Sequence, residues 1–150
     1  DAAFGAGSSD LINSTEGVLY AEIAALSDSV NFFLGVFGSS NSRVRLTFGP
    51  SSIKGQVFNG SYQCRISSVQ TITNNNKIAL KYKQDDFALW INGVEVGTDT
   101  SGLTFSADTL TYLNLSSYDE TSNRVQGKVK CVAVFKEALT DAELTCLTTI

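Results

Sequence analysis

The sequence predicts an all-β protein: an antiparallel two-sheet sandwich closed by one short C-terminal helix. Three observations carry this. Apolar and polar residues alternate with period two along much of the chain, as they do when one face of a strand is buried. Asn-Gly, Gly-Pro-Ser and polar clusters interrupt that pattern at strand-length intervals. Small uncharged polar residues dominate, since 18 Ser, 14 Thr and 10 Asn outnumber the 11 basic and 15 acidic residues together.

The first clear segment, residues 18–26, is ambiguous. Leu19, Ile23 and Leu26 have helical spacing, while Leu19, Ala21, Ile23 and Ala25 alternate. Propensity favours helix and the surrounding pattern favours strand; strand is expected. Residues 30–37 form an apolar run interrupted by Gly35. Residues 38–42 have turn chemistry. In residues 43–48, Val44, Leu46 and Phe48 share one face while Arg43, Arg45 and Thr47 share the other. Gly49-Pro50-Ser51-Ser52 ends that strand. Val57-Phe58 runs into Asn59-Gly60, and residues 62–69 offer another strand.

A three-stranded meander follows. Ile78, Leu80 and Tyr82 alternate with Ala79, Lys81 and Lys83, and Gln84-Asp85-Asp86 turns the chain. Phe87, Leu89 and Ile91 then alternate with Ala88 and Trp90. Asn92-Gly93 fits a type I′ hairpin, whose two central residues need positive φ. Val94-Glu95-Val96 returns. Residues 99–109 read as a long connection, 110–115 as a strand, 116–124 as a polar loop and 128–135 as a final strand. In that strand Val132 and Val134 face the core, and Val129 joins them only if a bulge shifts the phase. Thr140-Asp141-Ala142-Glu143 fits a capping box opening a helix of about two turns. Leu139, Leu144 and Leu147 give that helix an apolar side. The total is about a dozen strands, with one proline, no repeat and no linker, so residues 1–150 read as a single domain. A chain that opens on Asp1 and holds no Met is expected to be a fragment of a longer protein, its C-terminal piece, or a processed one.

Composition also bounds the chemistry. The sequence has no His, which removes Ser-His-Asp and Cys-His catalysis and His-ligated zinc. A net charge of −4 argues against nucleic acid as a partner. No stretch approaches the ~18 apolar residues of a membrane span, so membrane insertion is not expected. Gly5-Ala6-Gly7-Ser8-Ser9 lacks the third Gly, the Lys and the preceding strand of a phosphate loop. Cys64, Cys131 and Cys146 form no C-x-x-C pair. They are expected to be small buried hydrophobes, with one disulfide as the alternative.

Two stretches carry a family resemblance. Asp86-Phe87-Ala88-Leu89-Trp90-Ile91-Asn92-Gly93-Val94-Glu95-Val96 resembles the strand–hairpin–strand element of the concanavalin A-like lectin/glucanase superfamily, in its laminin-G-like branch. Gly127-Lys128-Val129-Lys130-Cys131-Val132-Ala133-Val134-Phe135-Lys136-Glu137-Ala138-Leu139-Thr140-Asp141-Ala142-Glu143-Leu144 resembles that family's last core strand and closing helix. Glu16-Gly17-Val18-Leu19-Tyr20-Ala21-Glu22 fits its opening strand pair more loosely. The closing stretch also resembles the ends of bacteriophage structural and tail proteins. The resemblance implies a jelly roll of two antiparallel sheets. It leaves function open among lectins, carbohydrate-binding modules, glycosidases, adhesion domains and spacers.

Each chemistry can be weighed on the residues. Glucanases of this superfamily carry an alternating Glu-x-Asp-x-Glu-like motif, whose carboxylates share a face; retaining enzymes hold two about 5–5.5 Å apart. No such motif occurs here, so no enzyme is expected. Laminin-G-like domains often hold calcium, which needs several converging carboxylates. Asp85, Asp86, Asp99, Asp108, Asp119 and Glu120 all lie in predicted turns or loops, and Asp85, Asp119 and Glu120 are the metal candidates; solvated turn acids are the plainer account. For a sugar, Trp90 points away from the core face. It is either a stacking platform or a ring packed under a loop or another subunit. Tyr112, Asn114 and Tyr118 are further candidates. Arg43 and Arg45 share a face that could grip an acidic sugar or a partner carboxylate. Asn13, Asn59 and Asn114 begin Asn-x-Ser/Thr triplets, which matter only in a eukaryotic secretory pathway. The expectation is a non-catalytic carbohydrate-binding or host-attachment module, exposed on a virion or outside the cell, with calcium the one cofactor to consider. A structural virion spike or decoration domain meeting neighbouring subunits, and a secreted adhesion module, are the alternatives.

Overall fold

A computed structural model describes residues 10–117, 119 and 121–150. Among them the chain forms ten strands and one helix: β1 (Glu16–Ala25), β2 (Phe32–Ser39), β3 (Ser42–Gly49), β4 (Ser52–Asn59), β5 (Ser61–Val69), β6 (Asn76–Lys83), β7 (Phe87–Ile91), β8 (Val94–Asp99), β9 (Tyr112–Asn114), β10 (Gly127–Phe135) and α1 (Asp141–Thr148). One sheet has the order β10-β1-β6-β7-β8 and the other β5-β4-β3-β2-β9. The pairs are antiparallel, giving the expected jelly-roll sandwich.

The ambiguous segment at 18–26 is a strand. β1 pairs with β6 on one edge and β10 on the other. Those non-local ladders override the modest helix preference of its alanines. Leu19, Ala21, Ile23 and Ala25 join the core between the sheets, where they meet Phe32, Leu34 and Val36 of β2 and Val44, Leu46 and Phe48 of β3. Ile78, Leu80 and Tyr82 of β6 and Phe87, Leu89 and Ile91 of β7 complete that layer. The Asn92-Gly93 turn has φ of 54° and 83°, as a type I′ hairpin requires.

Three boundaries differ from expectation. The Gly49-Pro50-Ser51-Ser52 stop is a two-residue hairpin. Ser51 takes φ 49° and Gly49 pairs directly with Ser52. β4 therefore begins at Ser52 rather than at Val57. Its first half was illegible because its inward positions include Gly55, where an added Cβ would lie 2.8 Å from Leu80 Cδ1. The strand expected over residues 110–115 shrinks to Tyr112–Asn114, since Leu110 N–H donates to Ser14 Oγ at 2.9 Å instead of to a strand. In β10 the register shifts by one residue, so that Glu22 faces Cys131 and Ile23 faces Val129. The bulge places Val129 on the core face, but this is an edge strand and Val129 stays 38% exposed.

Helix α1 opens on the expected box. Thr140 Oγ1 accepts from Glu143 N at 3.4 Å, and Thr140 N donates to Glu143 Oε2 at 2.8 Å. The helix lies on the outer face of the first sheet. There Leu144, with Leu139 and Leu147, covers Val18, Tyr20, Ala79, Ala88 and Trp90. The cysteine expectation needs correction. All three thiols are free, and only Cys64 is buried. Cys131 sits opposite Glu22 on an edge strand and Cys146 on the solvent side of α1; both are exposed. Among the described residues no helix is long and apolar enough to cross a membrane.

Candidate functional site

The outer face of the second sheet is where the sequence-predicted polar residues converge. Alternation sends Val44, Leu46 and Phe48 inward, so Arg43, Arg45 and Thr47 point out. The register then extends each across the sheet. One row reads Tyr112, Phe37, Arg43, Phe58, Tyr62, and the next reads Asn114, Gly35, Arg45, Gln56, Arg65. A third holds Phe33, Thr47, Lys54 and Ser67. The β4–β5 ladder shifts register between Val57 and Phe58, so Phe58 faces Tyr62 and Gln56 faces Arg65. That bulge brings Tyr62 and Arg65 onto the same outer face.

Each of the three arginines lies against an aromatic ring. The guanidinium carbon of Arg43 is 4.1 Å from the Phe58 ring centre, that of Arg45 is 4.3 Å from Phe33, and that of Arg65 is 5.1 Å from Tyr62. Such stacking holds a planar cation while leaving its N–H fork free for an anion. Gln56, only 3% exposed, fixes Arg45 further. Its Oε1 accepts from Arg45 Nε at 2.7 Å and from Thr47 Oγ1 at 3.2 Å. Arg43 Nη1 donates to the Ser40 carbonyl, while its Nε is buried without a partner. Burial, reinforced by the Arg43 charge beside it, pulls the Arg45 guanidinium below its ordinary range.

Lysines pair with carboxylates: Lys81 with Asp86 at 2.7 Å and with Asp141 at 3.8 Å, Lys83 with Glu16, and Lys130 with Glu22. Arg43, Arg45 and Arg65 have no carboxylate partner among the described residues. A chain of net charge −4 thus keeps a cationic, aromatic-backed face that no carboxylate among the described residues neutralises.

The other sequence candidates fall elsewhere. Trp90 points away from the core, as its alternation predicts, but it is 7% exposed beneath α1. Its ring has no open face for a sugar, because a non-local helix covers it. Its Nε1 has no hydrogen-bond partner there. Asn114 is 4% exposed and closes a turn, with Nδ2 donating to Ser117 O at 3.0 Å and Oδ1 accepting from Ser116 Oγ at 3.1 Å. Tyr112 is half-buried and stacks on Phe37 at 5.8 Å, at the margin of the arginine face. Tyr118 and Glu120 lie outside the described residues, as does the Gly5–Ser9 stretch.

The acids serve turns. Asp85, at φ 57°, accepts from Gly102 N at 3.0 Å, and Asp99 accepts from Ser101 N at 3.1 Å. Asp119 accepts from Ser117 Oγ at 2.6 Å and Thr121 N at 3.2 Å, and these bonds hold its carboxyl below the usual range. Among the described residues no three His, Cys, Asp or Glu gather into a group that could hold a metal ion. Sequence reading found Arg43 and Arg45 from their i, i+2 spacing. It missed Phe33, Gln56, Phe58, Tyr62 and Arg65, which reach the face only through cross-strand register.

Known proteins share this architecture. The carbohydrate-binding module CBM40 of a Ruminococcus gnavus sialidase, bound to α2,3-sialyllactose, superposes with a TM-score of 0.73 at 15% identity, covering 91% of this chain and 83% of that one. A leech intramolecular trans-sialidase complexed with 2,7-anhydro-Neu5Ac matches at TM-score 0.73 and 18% identity over 91% of this chain, which spans 24% of that enzyme. Domains LG4-5 of the mouse laminin α1 chain match at 0.59 and 10%, over 86% of this chain and 38% of that one. Identities this low establish the fold alone. Among curated protein sequences none matches the chain. A laminin-G family model described as the concanavalin A-like lectin/glucanases superfamily matches residues 12–145. The chain belongs to the concanavalin A-like lectin/glucanase superfamily.

Proposed function

We propose that this domain is a non-catalytic carbohydrate-binding module that takes a carboxylate-bearing sugar on the outer face of its second sheet. The observation that carries this is the set of three arginines, each stacked on an aromatic ring and none neutralised by a carboxylate among the described residues. Arg45, steadied by Gln56, presents its terminal N–H groups to a carboxylate, a geometry that suits bidentate pairing. Tyr62 lies alongside, 45% exposed and packed edge-on against Phe58, and would lend aromatic surface to a sugar ring. The sialyllactose-bound Ruminococcus module of the same fold makes an acidic glycan a natural ligand class. Glycosidic cleavage would need paired carboxylates, and the three rows of this face contain none. An acidic glycan is also what a host cell surface presents, so attachment from a virion or from outside a cell belongs to the same proposal.

Calorimetric titration tests it. The wild type should bind 3′-sialyllactose and not lactose. Arg45→Ala should weaken that binding on the order of tenfold or more, the worth of a hydrogen bond to a charged group. Equal binding of lactose and sialyllactose, or an Arg45→Ala variant with unchanged affinity, would refute the reading.

A further inference from the structure

The arginine rows do not end the outer face. Two residues beyond the Thr47–Lys54–Ser67 row, Gly49, Ser52 and Val69 continue it, and Val69 is 84% exposed. There the face opens into a cavity of about 520 Å³ lined by Asp28, Ser51, Val69, Gln70, Thr71 and Thr73. Its size lies within the range of small-ligand pockets, about 300–1,000 Å³. Its chemistry differs from that of the arginine rows. It carries one carboxylate, several hydroxyls and one small apolar side chain, and no cation lines it.

The Asp28 carboxylate is held in place by the β3–β4 hairpin. Ser51 N donates to Oδ1 at 3.1 Å and Ser51 Oγ donates to Oδ2 at 2.7 Å. Each oxygen keeps acceptor capacity, so the group can still receive two neighbouring sugar hydroxyls. The backbone fixes this geometry, since Ser51 sits at positive φ and Gln70 N donates to Ser51 O at 3.0 Å. From Arg45 to Gly49 along β3 is four residues, about 13 Å at strand rise. That span suits a short oligosaccharide rather than a single ring.

We infer that the Asp28–Ser51–Val69 cavity is a second subsite that receives a neutral sugar of the oligosaccharide whose acidic residue occupies the arginine rows. This inference rests on the proposed acidic-sugar site. Titration of the wild type, Asp28→Ala and Asp28→Asn with the methyl glycoside of N-acetylneuraminic acid and with 3′-sialyllactose separates the two. The trisaccharide should bind the wild type about tenfold more tightly than the monosaccharide, as one or two hydrogen bonds to a charged group allow. Both Asp28 variants should reduce that advantage and leave monosaccharide affinity unchanged; Asp28→Asn keeps an acceptor for Ser51, so the loop stays folded. Equal affinity of the wild type for the two ligands overturns the inference alone. So does an advantage that survives in both variants. Failure of both acidic ligands to bind overturns the proposed site and this inference together.

Discussion

Replacing Gln56 separates a structural role from a binding role, because two near-isosteric substitutions act in opposite directions. The Gln56 side chain is nearly buried and its Oε1 is the shared acceptor of Arg45 Nε and Thr47 Oγ1. Gln56→Leu keeps the volume and removes the acceptor. One charge-assisted bond and one neutral bond are lost, and the desolvated Arg45 N–H is left unpaired. The cost should be about 2–3 kcal/mol of stability. Acid binding should weaken as well, since the Phe33 stack and the Tyr62 hydrogen bond then orient the guanidinium without the Gln56 anchor. Gln56→Glu keeps the acceptor and adds a charge. Two unit charges at about 4 Å attract by about 4 kcal/mol at an effective dielectric of 20, and partial burial of the new carboxylate cancels much of this. Stability at pH 7 should therefore equal or exceed that of the wild type. The introduced carboxylate neutralises the cation that an acidic sugar needs, so binding of 3′-sialyllactose should be lost. Urea denaturation and calorimetric titration of the three proteins read both quantities. A Gln56→Glu variant that binds sialyllactose like the wild type would refute the account of Arg45 as the anion-binding group.

Other outcomes follow from the first sheet and the thiols. Trp90→Ala should destabilise by about 3–5 kcal/mol in urea denaturation, the range for emptying a large buried aromatic site. Trp90→Phe should cost much less, since it also removes the unpartnered Nε1; equal costs would contradict this. Thr140→Ala should cost about 1 kcal/mol by removing the helix cap, and Trp90 fluorescence should shift to the red as α1 frays. The Glu143 carboxyl is held below its ordinary value of 4.5 by bonds from Thr140. Its contribution is thus present above that value and fades as pH falls through the lower folded value, so α1 should loosen in acid and a pH-independent Trp90 signal would count against the box. A disulfide reagent at pH 8 should modify Cys131 and Cys146 at once. Cys64, whose thiol burial pushes up to about 12, should react only on unfolding; three fast thiols would contradict the packing.

What could be read from the sequence depended on how local each signal was. The β6–β7–β8 meander was legible because its alternation, its turns and its pairing partners are all neighbours in sequence. The capping box at Thr140 and Glu143 was legible for the same reason. Strand β1 could be chosen over helix only from the character of its surroundings, because its ladders lie with β6 and β10. Trp90 was read on the right face, but the choice between an open platform and a covered ring stayed open, because what covers it comes from α1, about fifty residues later in the chain. Arg43 and Arg45 share a strand, so their common face followed from spacing. Arg65 could not be joined to them from sequence, because its place depends on a bulge and on the register of β4 with β5. The Asp28 cavity was hidden for the same reason, since three separate loops build it.

The two outer faces of the sandwich explain why one of them is the place to look for binding. The first sheet presents Val18, Tyr20, Ala79, Ala88 and Trp90 outward, and this apolar surface is closed by α1. Lys81 reinforces the closure by reaching Asp86 at 2.7 Å and Asp141, the first helical residue, at 3.8 Å. The second sheet presents arginines and aromatic rings outward, and among the described residues no helix covers them. A purely structural face would gain by neutralising its cations, and the chain has acids to spare at net charge −4. Among the described residues, acids such as Asp85, Asp99 and Asp119 are instead engaged in turns, Glu16, Glu22 and Asp86 in lysine pairs, and Glu143 at the helix start. Stacked but unneutralised guanidinium groups cost desolvation and mutual repulsion, as the depressed Arg45 value reflects. An incoming carboxylate would offset both, which is the physical reason to propose this face for the ligand and an acidic group on that ligand.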